Sequence, residues 1–276
     1  KAKEYIKEIK KKQPWFLWIS FVGPHEPFDT PKPWHGQHDP EKLPKPCESK
    51  EWIKALDSKV ELKKKSVQWG DKLDTKDIMR LRADYADHIN LLDDQVGEIM
   101  DTLKTYNQEK NTAIAITSDH GDHLGDYGML YKGTFMESSI RVPWIYVDPQ
   151  VEERKKLINE TPMELARAFK LMSRNIYCNG GNAQKLKELT ERKKIAIVEY
   201  SDEILVVKGN KKICLNKEGA ILWATKIRGN KETNNINRIK PWKIKKGPWS
   251  KLCKIGRRYA ERTKRRDWEK KIISEH

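Results

Sequence analysis

The chain has 276 residues, 56 of them Lys or Arg and 40 Asp or Glu, for a formal net charge of +16. Hydrophobic residues make up 37% and aromatic residues 9%, too much core-forming bulk for an intrinsically disordered chain. The length allows one large or two modest domains, and the longest apolar stretch, Trp15 to Val22, falls far short of the roughly 20 residues a membrane-spanning helix needs.

The opening residues, Lys1-Ala2-Lys3-Glu4-Tyr5, contain neither an initiator Met nor an apolar leader core. The start reads as a cut, which leaves the compartment open. The cysteines Cys47, Cys178, Cys214 and Cys253 stand far apart, with no CxxC pair or zinc-like spacing, and read as scattered free thiols. Charge gathers at the ends: residues 238–276 hold 15 basic against 4 acidic residues, residues 1–12 six against two, and the body between is nearly neutral. A basic tail suits a polyanion contact or a solvated helix face, and taken alone the solvated face is the better reading.

In chain order, Tyr5 to Lys10 has helical spacing and is stopped by Pro14. Trp15 to Val22 follows as a continuous apolar run, the pattern of a strand buried on both faces of a parallel sheet. Proline recurs through residues 23–50, which predicts a long surface loop of the kind that tends to carry function. Ile78, Leu81, Tyr85, Ile89, Leu92, Val96, Ile99 and Leu103 recur every three or four residues, with Asp74 or Thr75 as N-cap. That predicts a long amphipathic helix over 75–106. Thr112 to Thr117 and Arg141 to Val147 read as further strands, so helix and strand alternate as in an α/β sheet. Past residue 195, short strand candidates at 195–200, 204–208, 211–215 and 220–225 are separated by the turn pairs Ser201-Asp202, Gly209-Asn210 and Glu218-Gly219. They predict a small antiparallel sheet, with a helix over 255–273 docking through Tyr259, Trp268 and Ile272.

The residues richest in chemistry run from Thr117 to Gly128, where a buried strand opens into Ser118-Asp119-His120-Gly121-Asp122-His123. Ligands of α/β sheets bind at such carboxyl ends of strands, and a carboxylate beside an imidazole can hold a divalent metal. The alternative is that Asp119 caps a turn while His120 and His123 are ordinary loop residues. Spacing alone leaves both open.

The strand followed by S-D-H-G-D-x-L-G-D-x-G, with Tyr131 to Glu137 and Ile140-Arg141-Val142-Pro143 behind it, resembles the type I sulfatase branch of the alkaline-phosphatase superfamily. Gly23-Pro24-His25-Glu26-Pro27-Phe28 after its apolar run is similar to the second block of that family, and the helix ending Asn90 to Gly97 is similar to its bridging helix. Over 195–230 the likeness thins to architecture, and it does not extend into 238–276. The resemblance implies an alkaline-phosphatase-like α/β fold, mostly a parallel sheet with flanking helices, plus a small C-terminal antiparallel sheet with a helix. It assigns residues 1–160 to the C-terminal part of the sulfatase core, 161–194 to a helical connector and 195–276 to a subdomain with a basic tail.

The resemblance further implies that Asp119 and His120 ligate a divalent cation, Ca2+ in first place and Mn2+ as the alternative. His25 would bind the sulfate and protonate the leaving group, and Lys132 would neutralise charge on the sulfate oxygens. Glu137 and Arg141 would support them. The residue at Tyr127 is often His or Arg in relatives. No Cys or Ser here lies in C/S-x-P-x-R, the source of the family's formylglycine nucleophile, and no acidic ligands precede Trp15. Both are expected in a missing N-terminal part, so the chain reads as the C-terminal half of a sulfatase, inactive alone. Alternatives are a phosphodiesterase or phosphonate monoester hydrolase of the same superfamily, or a non-catalytic polyanion-binding relative. A sulfated small molecule or polysaccharide is the implied partner, ahead of nucleic acid.

Overall fold

The computed structural model describes residues 1–9, 13–47, 73–149, 158, 161–177, 194–228, 231–232 and 248–274. Cys178, Trp242 and the side chains of Trp268 and Ile272 lie outside the described parts. No described helix is long and apolar enough to cross a membrane.

The first helix, α1 (Ala2–Glu8), lies against α2 (Thr75–Thr105), which spans 31 residues. The start of α2 is fixed by a capping box. Asp74 accepts from the Asp77 amide at 2.8 Å, and Asp77 accepts from the Asp74 amide at 3.2 Å, so two otherwise orphaned donors are satisfied. Ile6 of α1 is buried, and its carbonyl accepts from Gln108 Nε2 at 3.2 Å just beyond the end of α2. Ile78, Ala83, Asp87 and Leu103 form the buried line of α2, whereas Ile89 of the expected stripe is exposed.

Strands β1 (Ile114–Thr117) and β2 (Trp144–Val147) pair in the register Ile114↔Val147 to Thr117↔Trp144. The pairing is antiparallel, so the parallel arrangement expected here does not hold for this pair. A parallel return needs a crossover, usually helical. The connection between these strands instead holds only a 3₁₀ turn at Asp126–Gly128 and the one-turn helix α3 (Glu137–Ile140).

The stretch at 15–22 is also not a buried strand. It makes no ladder, and Phe16 and Val22 are 76% and 85% exposed. An unbroken apolar run signals burial on two faces without saying which strands supply the cover, and no described strand does so here. Its Trp18 ring leans on Phe169 of α4 (Leu165–Tyr177) at 5.9 Å, and Trp144 of β2 meets the same ring edge-on at 5.0 Å.

The C-terminal sheet is a meander, β3 (Ala196–Tyr200), β4 (Glu203–Lys208), β5 (Lys211–Asn216), β6 (Ile221–Arg228) and β7 (Lys231–Glu232), every neighbour antiparallel. The strands fall where turn pairs and β-branched runs put them; the two-residue β7 was missed. Four consecutive residues are buried in both β4 and β5, because the sheet is covered on both faces. One face carries Val206, Ile213, Leu215 and Ala224 against Leu252 and Cys253 of α5 (Pro248–Ser274). The opposite face carries Ala196, Leu205, Val207 and Cys214 against Phe135.

Helix α5 begins seven residues before the expected start. Gly256 allows the close approach: a Cβ there would collide with Leu215 Cδ1 and Val206 Cγ2. Its docking side is Leu252, Cys253, Gly256 and Ala260, with Trp249 and Ile255 beside them; Tyr259 instead donates from its hydroxyl to Glu199 at 3.3 Å.

Candidate active site

Two loops build the site. The first, Gly23 to Phe28, lies beside α2: a Cβ on Gly23 would strike the His88 ring, so any side chain there would force the ring or the loop to move. The second runs from Ser118 to Ser138, between β1 and β2.

The second loop is braced throughout. Asp122 Oδ1 accepts from the amides of Leu124 and Tyr131 at 3.0 and 3.1 Å, and the His123 amide donates to Tyr131 O at 2.8 Å. Arg82 of α2 donates to Leu124 O at 2.9 Å and reaches Asp126 Oδ1 at 3.4 Å. His123, for which an ordinary loop role was one of two open alternatives, is buried. Its ring nitrogens lie 2.9 Å from Thr134 Oγ1 and 2.8 Å from Ser138 Oγ, and so stitch the two ends of the loop together. Tyr127 is buried with Met129 and Met136, next to Cys47 and Trp223. At that position the side chain is core.

The loops bring two of the four expected site residues into contact. Lys132 Nζ donates to His25 Nε2 at 2.7 Å. With Nε2 accepting, the His25 proton sits on Nδ1, which donates to Glu26 O at 2.9 Å and lies 3.3 Å from Glu26 Oε2. Both Glu26 carboxylate oxygens are 3.4 Å from Lys132 Nζ, so the site is a Lys–His–Glu cluster. Glu26 went unrecognised in the sequence; its only signal was an acid adjoining the histidine of G-P-H. Burial pushes the Asp122 carboxyl up, against the two amide hydrogen bonds that lower it, with Glu26 raising it and Lys132 lowering it in turn.

Asp119 and His120 stand together at the end of β1, with Asp119 Oδ2 3.6 Å from His120 Nε2. Asp119 is 85% exposed at its side chain, and its Oδ1 accepts from the His120 amide at 2.9 Å. His120 Nδ1 donates to Gly121 O at 2.9 Å, which leaves Nε2 as the nitrogen with a free lone pair. A carboxylate oxygen and an imidazole nitrogen side by side suit a divalent cation, and the pair could supply two ligands of a larger shell. No hydrogen bond or ion pair joins this pair directly to His25 or Lys132.

A different group, His35, Asp84 and Asp87, brings three ligand-type atoms within 4.8 Å of one another. The Asp87 oxygens are already in use: they accept from the Gly36 amide at 2.5 Å, the His38 amide at 2.9 Å and His38 Nδ1 at 2.8 Å. Burial alone would raise the Asp87 carboxyl; the bonds from His38 and Gly36 outweigh it and hold the group low. Arg80 Nε lies 3.6 Å from Asp84. This cluster ties the proline-rich loop to α2.

A sequence model described as Sulfatase matches residues 1–170, more than half of the chain. The chain belongs to the sulfatase family. An arylsulfatase of Clostridium perfringens is 33% identical over 146 residues, covering 53% of this chain and 30% of that protein. A Caenorhabditis elegans homologue of the extracellular sulfatase Sulf-1 is 27% identical over 267 residues, 90% of this chain and 35% of that protein. That match carries the likeness through the C-terminal sheet, where the motifs alone did not. A phosphonate monoester hydrolase of Silicibacter pomeroyi superposes with a TM-score of 0.71 at 16% identity, covering 96% of this chain and 59% of that one. The superposition shows the alkaline-phosphatase-like fold. The sulfatase chain described here spans about a third of the length of the curated relatives it matches.

Proposed function

We propose that this chain is the portion of a sulfuric ester hydrolase that holds the sulfate group and two ligands of a divalent-cation site. The contact between Lys132 Nζ and His25 Nε2 carries the reading. A sulfate monoester bears its charge on oxygen atoms around sulfur and departs with a poor alkoxide leaving group. A site that cleaves it needs a fixed cation for the oxygens and a proton for the bridging oxygen.

Lys132 and His25 are those groups. With the ester absent, the ammonium rests on the imidazole and on the Glu26 carboxylate. A bound ester draws the ammonium to its own oxygens and frees Nε2 to carry and deliver a proton. Asp119 and His120 would supply two ligands to a divalent cation, Ca2+ in this reading with Mn2+ as the alternative, and such an ion, when bound, would add Lewis-acid charge at the ester. The formylglycine nucleophile and further ligands belong to sequence outside this chain. Substrates are sulfated small molecules or sulfated polysaccharides.

The test is turnover of an aryl sulfate and an aryl phosphonate monoester by the full-length parent, with and without Lys132→Ala. Loss of the sulfatase reaction in the variant supports the assignment. Turnover of the phosphonate alone would move it to the other branch of the superfamily.

A further inference from the structure

The C-terminal sheet reaches into the site loop through one side chain. Lys212 of β5 is 0% exposed, and it comes from the sheet face that packs against Phe135. Its Nζ donates to Phe135 O at 2.7 Å and pairs with Glu137 Oε1 at 2.7 Å. Both acceptors lie within five residues of Lys132. An apolar side chain would fill a buried position without the desolvation that an ammonium suffers, so core packing does not account for a lysine there. A buried ammonium offers something an alkyl group lacks: directed N–H donors that clamp a main-chain carbonyl and a carboxylate at fixed separation.

The segment that carries Lys132 needs such a clamp. Tyr131 holds φ at +66°, a left-handed conformation that a non-glycine residue adopts only when its surroundings impose it, and Gly133 follows at +94°. On one side the segment is tied to Asp122 through the Tyr131 amide. On the other it is tied to the sheet through Phe135 and Glu137.

We infer that Lys212 is a positioning residue of the site: it anchors the 131–137 segment on the C-terminal sheet so that Lys132 meets His25. The inference rests on the roles given above to Lys132 and His25, and it makes the antiparallel sheet a working part of the sulfate-binding apparatus.

The test is nitrogen-15 NMR of the His25 ring, selectively labelled in the full-length parent. Lys132→Met removes the donor to Nε2 and defines the resonance of that nitrogen without its lysine partner. Lys212→Met moves the His25 Nε2 resonance at least half of that distance, while the amide shifts of β3 and β6 keep their dispersed, folded pattern. Exchange of the 132–136 amides quickens at least tenfold in the same variant. If Lys212→Met does not fold, the charge-free pair Lys212→Gln with Glu137→Gln is read in its place. An unmoved His25 resonance in a folded Lys212 variant, with Lys132→Met moving it, overturns the inference and leaves the site reading standing. An unmoved resonance in Lys132→Met removes the His25 contact itself, so the site reading falls and the inference with it. Failure of both Lys212 variants to fold makes the lysine an element of stability and overturns the positioning role.

Discussion

Lys132 Nζ lies 2.7 Å from Nε2 of His25, a residue 107 positions earlier in the chain. The contact joins the loop after the first apolar stretch to the loop after β1, and nothing local to either loop encodes it.

Because the two side chains share that contact, their substitutions are expected to be non-additive in the full-length enzyme. Lys132→Ala should lower kcat on an aryl sulfate by about 10²–10³-fold. His25→Ala should lower it too, by up to about 10²–10⁴-fold on an alkyl sulfate whose alkoxide needs the proton and by less on the aryl ester. The double variant should fall well short of the product of the two. Steady-state kinetics on the four proteins check this, and full multiplicativity would mean that the groups act independently.

Asp119→Ala in the full-length parent should reduce bound divalent metal and aryl sulfatase activity together, and should lower the melting temperature only by the stabilisation that the bound ion supplied. Metal analysis by mass spectrometry beside an activity assay decides it. Normal metal content in the variant would relocate the cation site.

Asp87 and Asp122 should push stability in opposite directions with pH. The Asp87 carboxyl is held low, so its contribution is present above the ordinary carboxylate value of about 3.9 and is lost as pH falls through its folded value. The Asp122 carboxyl is held high, so its contribution is complete below about 3.9 and is lost as pH rises through its folded value. At pH 7, Asp87→Asn should therefore destabilise by about 2–3 kcal/mol, while Asp122→Asn should leave stability equal or improved. The advantage of Asp122→Asn should shrink toward acid. Urea denaturation at pH 2.5, 4, 5.5 and 7 gives the two slopes, that of Asp87 below pH 4 and that of Asp122 above it, and slopes of the same sign would contradict the environments described.

Gly256→Val should lower stability by about 1–3 kcal/mol through overpacking against Leu215 and Val206, whereas Lys254→Ala, exposed on the same helix, should be close to neutral. Thermal melts of the two variants make the comparison. A neutral Gly256→Val would mean that α5 does not sit this close to the sheet.

Lys251, Lys254, Arg258 and Arg262 form an exposed basic line on α5, opposite the buried Leu252, Gly256 and Ala260. Changing the first three to Gln should weaken retention on an immobilised sulfated polysaccharide and reduce the salt dependence of that retention. Unchanged retention would assign the helix to sheet cover alone, the role in which Trp249 is already engaged.

What the sequence disclosed follows from the range of the interactions. The cap and period of α2 are local, and both were legible from Asp74 to Leu103. The turns of the C-terminal sheet are equally local. The stretch at 15–22 advertised burial, but burial is a relation between strands, and the strand itself does not name its partners. The antiparallel pairing of β1 and β2 depends on the path of the connecting loop, which carries the site in place of a crossover helix. His25, Lys132, Asp119 and His120 stood out through motif likeness, whereas Glu26 and His123 gained meaning only from neighbours brought in by folding. Lys212 left no trace of its own, because Lys211 stands beside it at the start of β5 and only folding decides which of the two turns inward.

The seating of Phe135 against Leu205, Val207 and Cys214 sets a rule for recombining this protein with its relatives. A crossover point placed between residues 140 and 196 would separate the site loop from the surface moulded to receive it, even though that span looks like a natural seam. Chimaeras that exchange residues 127–140 and 196–228 as one block keep the matched surfaces together, and libraries built that way should yield more folded members than libraries cut at the apparent boundary.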